Sequence, residues 1–565
     1  MRLNGMEAAP RRADNREVID LTRAVVQVDS SPAHMVEGEN RVDDIFESYA
    51  RQAGLQVDRW TTQHGKPMLV VSLPGSDPKL GSVGFVHHSD VVGTDGVWKL
   101  GQPFSGTITT DDHGREVMVG RGTVDTKGPA AQILLAMKQL KASGTVLPRS
   151  MKLFVFPDEE IGGPDGAYFV SHENAGKIRD VEHWLVEGSS VVAQSLLAGA
   201  GARTDIPYLA VAQKYCLPLQ LKLKTPASSD EAVSKTTAAL QRLDDYVNQQ
   251  PWKHLGNTAE SQEMYNRMGD MIGGAKGWAL KHLWNSSTFQ KAIMTTPAGP
   301  PLAAANRTDF CKTDFFLSSN PSGGTDDINE KPSSATVVLQ GVSAGDVQKT
   351  AGKDFAVTEK DGRVALTLPQ ENYHGGNHAS APDRKEDAVD RVDGALAKVR
   401  KQFPQARVVD YFTDKSIPKQ AASGGKVATT VSLDLRIPID NDRQQTLADM
   451  QKAVGPDFEL APLFDHIELD ADVRRLTTGS ALFQAAQSTS KDVYGKDVPV
   501  LFGNSPGSND TRFLMDVNPK CDALAFDPVL TTEHGPHGPD ESVTIASLVK
   551  GVDWEREFMT RIGQG

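Results

Sequence analysis

Cysteine is nearly absent: 565 residues carry only 3, at Cys216, Cys311 and Cys521. They stand far apart with no C-x-x-C pair, which argues against a disulfide framework and a structural thiolate–zinc site. Positive charge is in deficit as well. The net charge is −13, whereas nucleic acid and anionic membranes both reward clustered Lys and Arg, so neither is an expected partner. Long apolar runs are missing too, and nothing approaches the ~20 residues that span a bilayer. The opening "MRLNGMEAAPRRADNREVIDL" has no apolar leader core. A soluble protein is expected, cytoplasmic in preference to periplasmic or secreted unless a leader was removed before this numbering begins. What is present suits a globular chain. Hydrophobic residues make up 39% and charged ones 24%, enough for a packed core, and the length suggests about two to four domains.

Residues 15–200 alternate helical and strand patterns. "REVIDLTRAVVQV" and "RVDDIFESYARQAG" place apolar residues at helical spacing, the second stopping at Gly54. "KPMLVVSLPG" and "GSVGFVHHSDVV" are β-rich runs bounded by glycine, and "GPAAQILLAMKQLKASG" predicts an amphipathic helix before the strand "SMKLFVFP". This alternation predicts an α/β fold with a mixed, largely parallel sheet flanked by helices. Residues 203–445 read differently. "LPLQLKLKTPASSDEAVSKTTAALQRLDDYV", followed later by "SATVVLQG", and "VALTLPQENYHGGNHASAPDRKEDAVDRVDGALAKVRKQF", followed by "TTVSLDLRIP", suggest one βαβ-like unit used twice. Helical patterning returns after 450. The expected division is one α/β domain in two parts, 1–202 and 446–565, interrupted by an inserted α+β domain, the lid, at 203–445 built of two related units.

Oxygen- and nitrogen-rich clusters fall at strand ends or just beyond. "HHSDVV" holds His88 and Asp90, two apart and so on one face of a strand. "GRGTVDTKGP" holds Asp125 in a glycine-rich loop before a helix, without the order of a phosphate-binding Walker motif. "PDEEIGG" crowds Asp158, Glu159 and Glu160 at the mouth of a strand, Glu187 ends the apolar run in "HWLVEGSS", and "TTEHGPHGPDES" supplies His534 and His537. Taken singly, each reads as a surface pair, a cap or a solvated turn. Together they make an oxygen-plus-imidazole set without thiolate, which suits zinc, manganese or cobalt.

The ordered motifs "HHSDVV…GRGTVDTKGP…PDEEIGG…HGPDES" resemble the co-catalytic zinc hydrolases that include aminoacylase, carboxypeptidase G and bacterial dipeptidase V. The resemblance covers much of 81–190 and 501–545 and implies a zinc-exopeptidase-like fold holding two divalent metals, zinc first, with manganese or cobalt as alternatives. It implies that His88, held by Asp90, and Glu187 bind one metal, that Asp125 bridges both through a cis peptide to Thr126, and that Glu160 and His537 bind the second. Glu187 stands where many relatives carry Asp, and Glu182 lies nearby. Glu159 would be the unligated base and His378, in "GGNHASAPD", would polarise the scissile carbonyl. Asn329, Arg512 and Arg436 resemble substrate-binding positions. Arg512 suits a substrate carboxylate, because its fork matches two oxygens. The sequence departs from the pattern at "VVLQG", which lacks an Arg often found there.

The expected activity is that of a dipeptidase or short-peptide exopeptidase, since the long lid resembles that of dipeptidase V. N-acyl-amino-acid hydrolysis is the alternative, and the substrate is a small peptide or acyl-amino acid in either case. Two rivals are weaker. "GNSPG" matches the elbow of serine hydrolases around Ser505, but Pro506 has no N–H to offer an oxyanion. A binding module would be expected to have lost Glu159 or a ligand, and all are present. The long lid, which repeats its unit, favours a monomer over a homodimer, with His378 acting in its own chain.

Overall fold

Runs that are apolar on consecutive residues become strands covered on both faces. Every residue of Ser82–His88 is buried, and Pro67–Leu73 and Met151–Phe156 each leave one residue partly exposed. They join an eight-stranded sheet in the computed structural model, which describes residues 15–197, 202–248, 259–284, 286, 288–289, 309–318, 332–370, 387–415, 426–439, 441–463, 476–505 and 507–564. In spatial order the strands are Gln56–Thr61, Pro67–Leu73, Met151–Phe156, Ser82–His88, Val181–Val192, Asp522–Thr531, Ile206–Ala212 and Leu501–Asn504. The central run from Met151–Phe156 to Asp522–Thr531 is parallel, and antiparallel strands lie on both sides of it. The mixed, largely parallel α/β sheet expected from the sequence is the fold observed.

Helices cover both faces. The helix Lys127–Ala142 is buried continuously from Lys127 through Met137, so it is a core helix and not a half-exposed one. It packs in one cluster with residues of Glu17–Val26, Met35–Gln52, Ala481–Tyr494 and Ile545–Gln564. Phe154, Phe156, Trp184 and Phe513 fill the other face. The parallel strands carry the site: His88 ends one, Asp158–Glu160 follows another, and Glu187 and Asp527 lie within two more. Carboxyl ends of parallel strands share one edge, the usual place for a ligand. Among the described residues, no helix is long and apolar enough to cross a membrane.

Two four-stranded sheets lie between Lys214 and Pro462, one nested within the other. One four-stranded sheet has the order Asp309–Ser318, Ala428–Pro438, Lys214–Leu223, Phe458–Pro462, and the other the order Ala356–Lys360, Arg363–Leu368, Ala335–Gln340, Arg407–Thr413. Numbered within each unit, both orders are 2-3-1-4, and both units run strand–helix–strand twice. The second unit sits wholly between the second and third strands of the first. The sequence reading paired "SATVVLQG" with the first stretch and "TTVSLDLRIP" with the second. The structure exchanges these partners, because long-range antiparallel pairing leaves no local mark.

The two units share a core that also buries charge. Lys312 lies 3.4 Å from Asp387 and bonds Asp390, with Asp393 close behind. Burial, opposed by the Lys312 charge, pushes Asp393 up to about 7. A folded pKa above the unfolded ~3.9 means stability that is full below pH ~4 and lost as pH rises through about 7. Asp393→Asn should therefore raise stability by only about 1 kcal/mol at pH 4.5 and on the order of 4 kcal/mol at pH 8. Urea titrations at both pH values test this, and an equal shift at each would contradict it.

Candidate metal centre

His88 stands at a strand end with Nδ1 3.0 Å from the Asp90 carbonyl oxygen and 3.4 Å from its Oδ1. With the Nδ1 proton donated to that carbonyl, Nε2 presents its lone pair to the site. The sequence leads one to expect Asp90 to hold His88, and its carboxylate, at 3.4 Å from Nδ1, adds its charge to the carbonyl contact. The same carboxylate also accepts the N–H groups of Glu159 at 3.2 Å and Glu160 at 3.0 Å. Asp90 thus serves both the histidine and the acid pair.

Asp125 lies between two imidazoles. Its Oδ1 is 3.0 Å from His88 Nε2 and its Oδ2 is 3.2 Å from His537 Nε2, which is also 3.2 Å from Glu160 Oε1. The Asp125–Thr126 peptide is cis. Among the described residues, two groups have donor atoms within 4.8 Å of one another, His88 with Glu159 and Glu160, and Asp125 with Glu160 and His537. His88, Glu160 and His537 are buried, whereas Asp125, Glu159 and Glu187 are partly exposed. Donors that could grip an ion thus sit beneath carboxylates that can meet solvent.

The support for these loops was missed in the sequence. Glu541 accepts the N–H groups of Gly122, Val124 and Asp125 at 3.1, 3.0 and 3.3 Å. Arg121 donates to Glu541 at 2.7 Å and to the carbonyls of His537 and Gly538 at 3.2 Å each. This buried pair joins the Asp125 loop to the His537 loop. Both residues lie in the motifs "GRGT" and "HGPDES", the one available signal.

Charge is concentrated here. Burial pushes Glu159 well above the carboxylate range, and the charges of Asp510, Glu160 and Asp125 add to this against His88. Glu187 is raised well above it by burial, Glu159 and Asp125, and Glu160 is raised by burial against the pull of His537. Burial raises Asp125 too, but hydrogen bonds from His537 and His88 outweigh it and hold the carboxyl well below the usual range. Burial disfavours charged His88 and His537. Their carboxylate partners more than reverse this and raise both well above the ordinary value. Crowded carboxylates with imidazoles and no thiolate fit hard or borderline divalent cations, which would offset the repulsion.

Other expected residues fall as follows. Glu187 is electrostatically linked to His88, Asp125 and Glu159, yet belongs to neither ligand group. His534 is in neither group as well. Arg512 lies over the Phe513 ring at 4.7 Å and reaches Ser508 Oγ at 3.4 Å. Arg436 Nε bonds both oxygens of Asp434, at 2.9 and 2.8 Å. Asn329 and His378 lie outside the described residues. Ser505 is 1% exposed and its hydroxyl donates to the Gly188 carbonyl at 2.8 Å, so nothing favours it as a nucleophile.

The sequence matches Peptidase family M20/M25/M40 over residues 84–561. The chain belongs to this family. Aminoacylase-1 of Sus scrofa is 34% identical over 121 residues, 21% of this chain and 29% of that protein. Probable carboxypeptidase S-like 2 of Dictyostelium discoideum is 26% identical over 253 residues, 44% of this chain and 46% of that protein. The chain thus spans less than a third of the first of these relatives and less than half of the second. The M20 family metallo-carboxypeptidase of Sulfolobus solfataricus is similar in structure, with TM-score 0.59 at 15% identity over 97% of this chain and 99% of that one. Human carnosine dipeptidase 1 has TM-score 0.59 at 12% identity, over 97% of each chain. At such identities these two likenesses concern the M20 fold.

Proposed function

We propose that the protein is a metal-dependent exopeptidase that hydrolyses the amide bond of dipeptides or short peptides. The observation that carries this is Asp125, with one oxygen facing His88 and the other His537, beside a partly exposed Glu159. His88 and Glu187 would hold one divalent cation and Glu160 and His537 the other, with Asp125 between them and zinc the first candidate. When bound, two such ions supply Lewis-acid activation of the attacking water and the carbonyl. Glu159 takes the proton from that water and delivers it to the departing amine. Asp90 orients this base through its N–H and keeps His88 in the tautomer that leaves Nε2 available.

Arg512 would bind the substrate carboxylate, with Arg436, Asn329 and His378 contributed by the insertion. His378 would stabilise the oxyanion. Expected from the sequence at 203–445, the insertion has its sheet strands running from Lys214–Leu223 to Phe458–Pro462, while Ile206–Ala212 belongs to the main sheet. We propose that it acts on its own chain in a monomer. Lys415, which follows the second unit's last strand, reaches Asp95 on the loop beyond Asp90 at 2.8 Å, and this supports that reading.

N-acyl-amino-acid hydrolysis is the second reading, favoured by the identity to aminoacylase-1. Enzyme stripped with a chelator and reconstituted with zinc should cleave free dipeptides better than N-blocked dipeptides or N-acyl amino acids by ~10-fold or more, since loss of a recognised polar group costs at least that. A preference for the acylated series would replace the first reading with the second. Activity surviving chelation but lost to a serine reagent would reject both.

A further inference from the structure

Asp158 has a left-handed backbone, φ +65°, immediately before Glu159 and Glu160. A residue bearing a β-carbon rarely keeps that conformation without outside constraint. The constraint comes from Lys66 and Glu39, whose side chains are 9% and 0% exposed. Lys66 Nζ bonds Asp158 Oδ1 and lies 3.0 Å from Glu39 Oε2. Glu39 Oε1 accepts the Asp158 N–H at 3.2 Å. The other Asp158 oxygen accepts the Asp165 N–H at 3.3 Å, and its carbonyl accepts the N–H groups of Ile161 and Gly163 at 3.2 and 2.7 Å.

The next two residues have a second anchor, for Asp90 accepts the N–H groups of Glu159 and Glu160. The acid pair is therefore suspended between two buried anchors. Glu39 comes from the helix Met35–Gln52 and Lys66 from the turn before Pro67–Leu73. Neither belongs to a candidate ligand group. The crowding of three acids thus has two sources of relief, Lys66 for Asp158 and the cation site for Glu159 and Glu160.

We propose that Lys66, braced by Glu39, is a positioning residue that holds Asp158 in the left-handed turn and so sets where the Glu159 carboxylate stands. This rests on the amide-hydrolase reading above. Without the ammonium, Glu39 and Asp158 would face each other as buried acids lacking a counter-charge. The turn would relax, and a misplacement of ~1 Å at a reacting group costs on the order of 10²-fold in rate. Glu160 is held separately through its contact with His537, so metal binding should largely persist.

The test uses the full-length, zinc-loaded chain and its Lys66→Met, Lys66→Arg and Lys66→Met/Asp158→Gly variants. Hydrogen exchange of the Glu159, Glu160 and Gly163 amides in Lys66→Met should quicken ~10-fold or more, with the strand Met151–Phe156 unchanged. Its kcat should fall ~10–100-fold while KM stays within about twofold. Lys66→Arg should restore most of both. The double variant is the safeguard against misfolding, because glycine takes the left-handed turn unaided, and it too should regain slow exchange and turnover. Unchanged turn exchange, unchanged kcat, or exchange quickened equally along Met151–Phe156 would overturn the proposal. Failure of the hydrolase reading shows separately, as a wild-type enzyme inactive on every amide, and the exchange result then still accepts or rejects the clamp.

Discussion

Glu159→Gln is expected to lower turnover by ~10²–10⁴-fold while the chain keeps its metal, because a positioned general base contributes about that much. The substitution is nearly isosteric, and the Glu159 N–H remains held by Asp90 Oδ1 at 3.2 Å, so the side chain stays in place and only the proton acceptor is lost. Glu160→Gln should behave differently. Glu160 belongs to both candidate ligand groups and lies 3.2 Å from His537, so its loss should weaken metal binding together with activity. Distance alone does not separate the two acids, since Glu159 also stands in the group with His88. Metal content measured on both variants does, and equal metal loss in the two would mean that Glu159 is a ligand and not the base.

Arg121→Met should destabilise the chain by about 3–5 kcal/mol, the range for a buried ion pair deprived of one partner. Arg121 and Glu541 have side chains 1% and 0% exposed. Removing the guanidinium leaves Glu541 buried without its counter-charge and unties the Asp125 loop from the carbonyls of His537 and Gly538. Metal should therefore be lost alongside stability. Arg121→Met/Glu541→Gln should recover part of the stability, since no buried charge is stranded, but little of the metal affinity. Denaturant midpoints with metal content measure both, and a midpoint in Arg121→Met within about 0.5 kcal/mol of wild type would show the pair to be dispensable.

Much of the eight-stranded sheet and its flanking helices was legible because these elements are local. "SMKLFVFP" becomes the strand Met151–Phe156, "GPAAQILLAMKQLKASG" becomes the helix Lys127–Ala142, and Gly54 at φ +71° ends its helix. The cluster of His88, Asp125, Glu160 and His537 was legible through ordered motifs, and the structure brings these four together. Pairing over long stretches was not. Asp309–Ser318 lies antiparallel to Ala428–Pro438 with a complete second unit between them, and nothing near either strand announces its partner. The charged supports were hidden for the same reason. Glu541 meets Arg121 across 420 residues, and Glu39 meets Asp158 across 119. In a sequence such residues look like solvated loop charges, and only burial reveals them as anchors. The spacing of Asp90 and His88 shows that the two can meet, but not that the same carboxylate would hold the Glu159 and Glu160 N–H groups 69 and 70 residues away.

We propose that Asp125 joins two cation sites that act together in amide hydrolysis. The most direct measurement is a titration of chelator-stripped enzyme with zinc, following bound metal and dipeptide turnover in the same samples. Turnover should rise to its plateau at two equivalents of zinc per chain, and Asp125→Ala should neither bind the pair nor turn over. A plateau at one equivalent, or full turnover in the stripped enzyme, would contradict it.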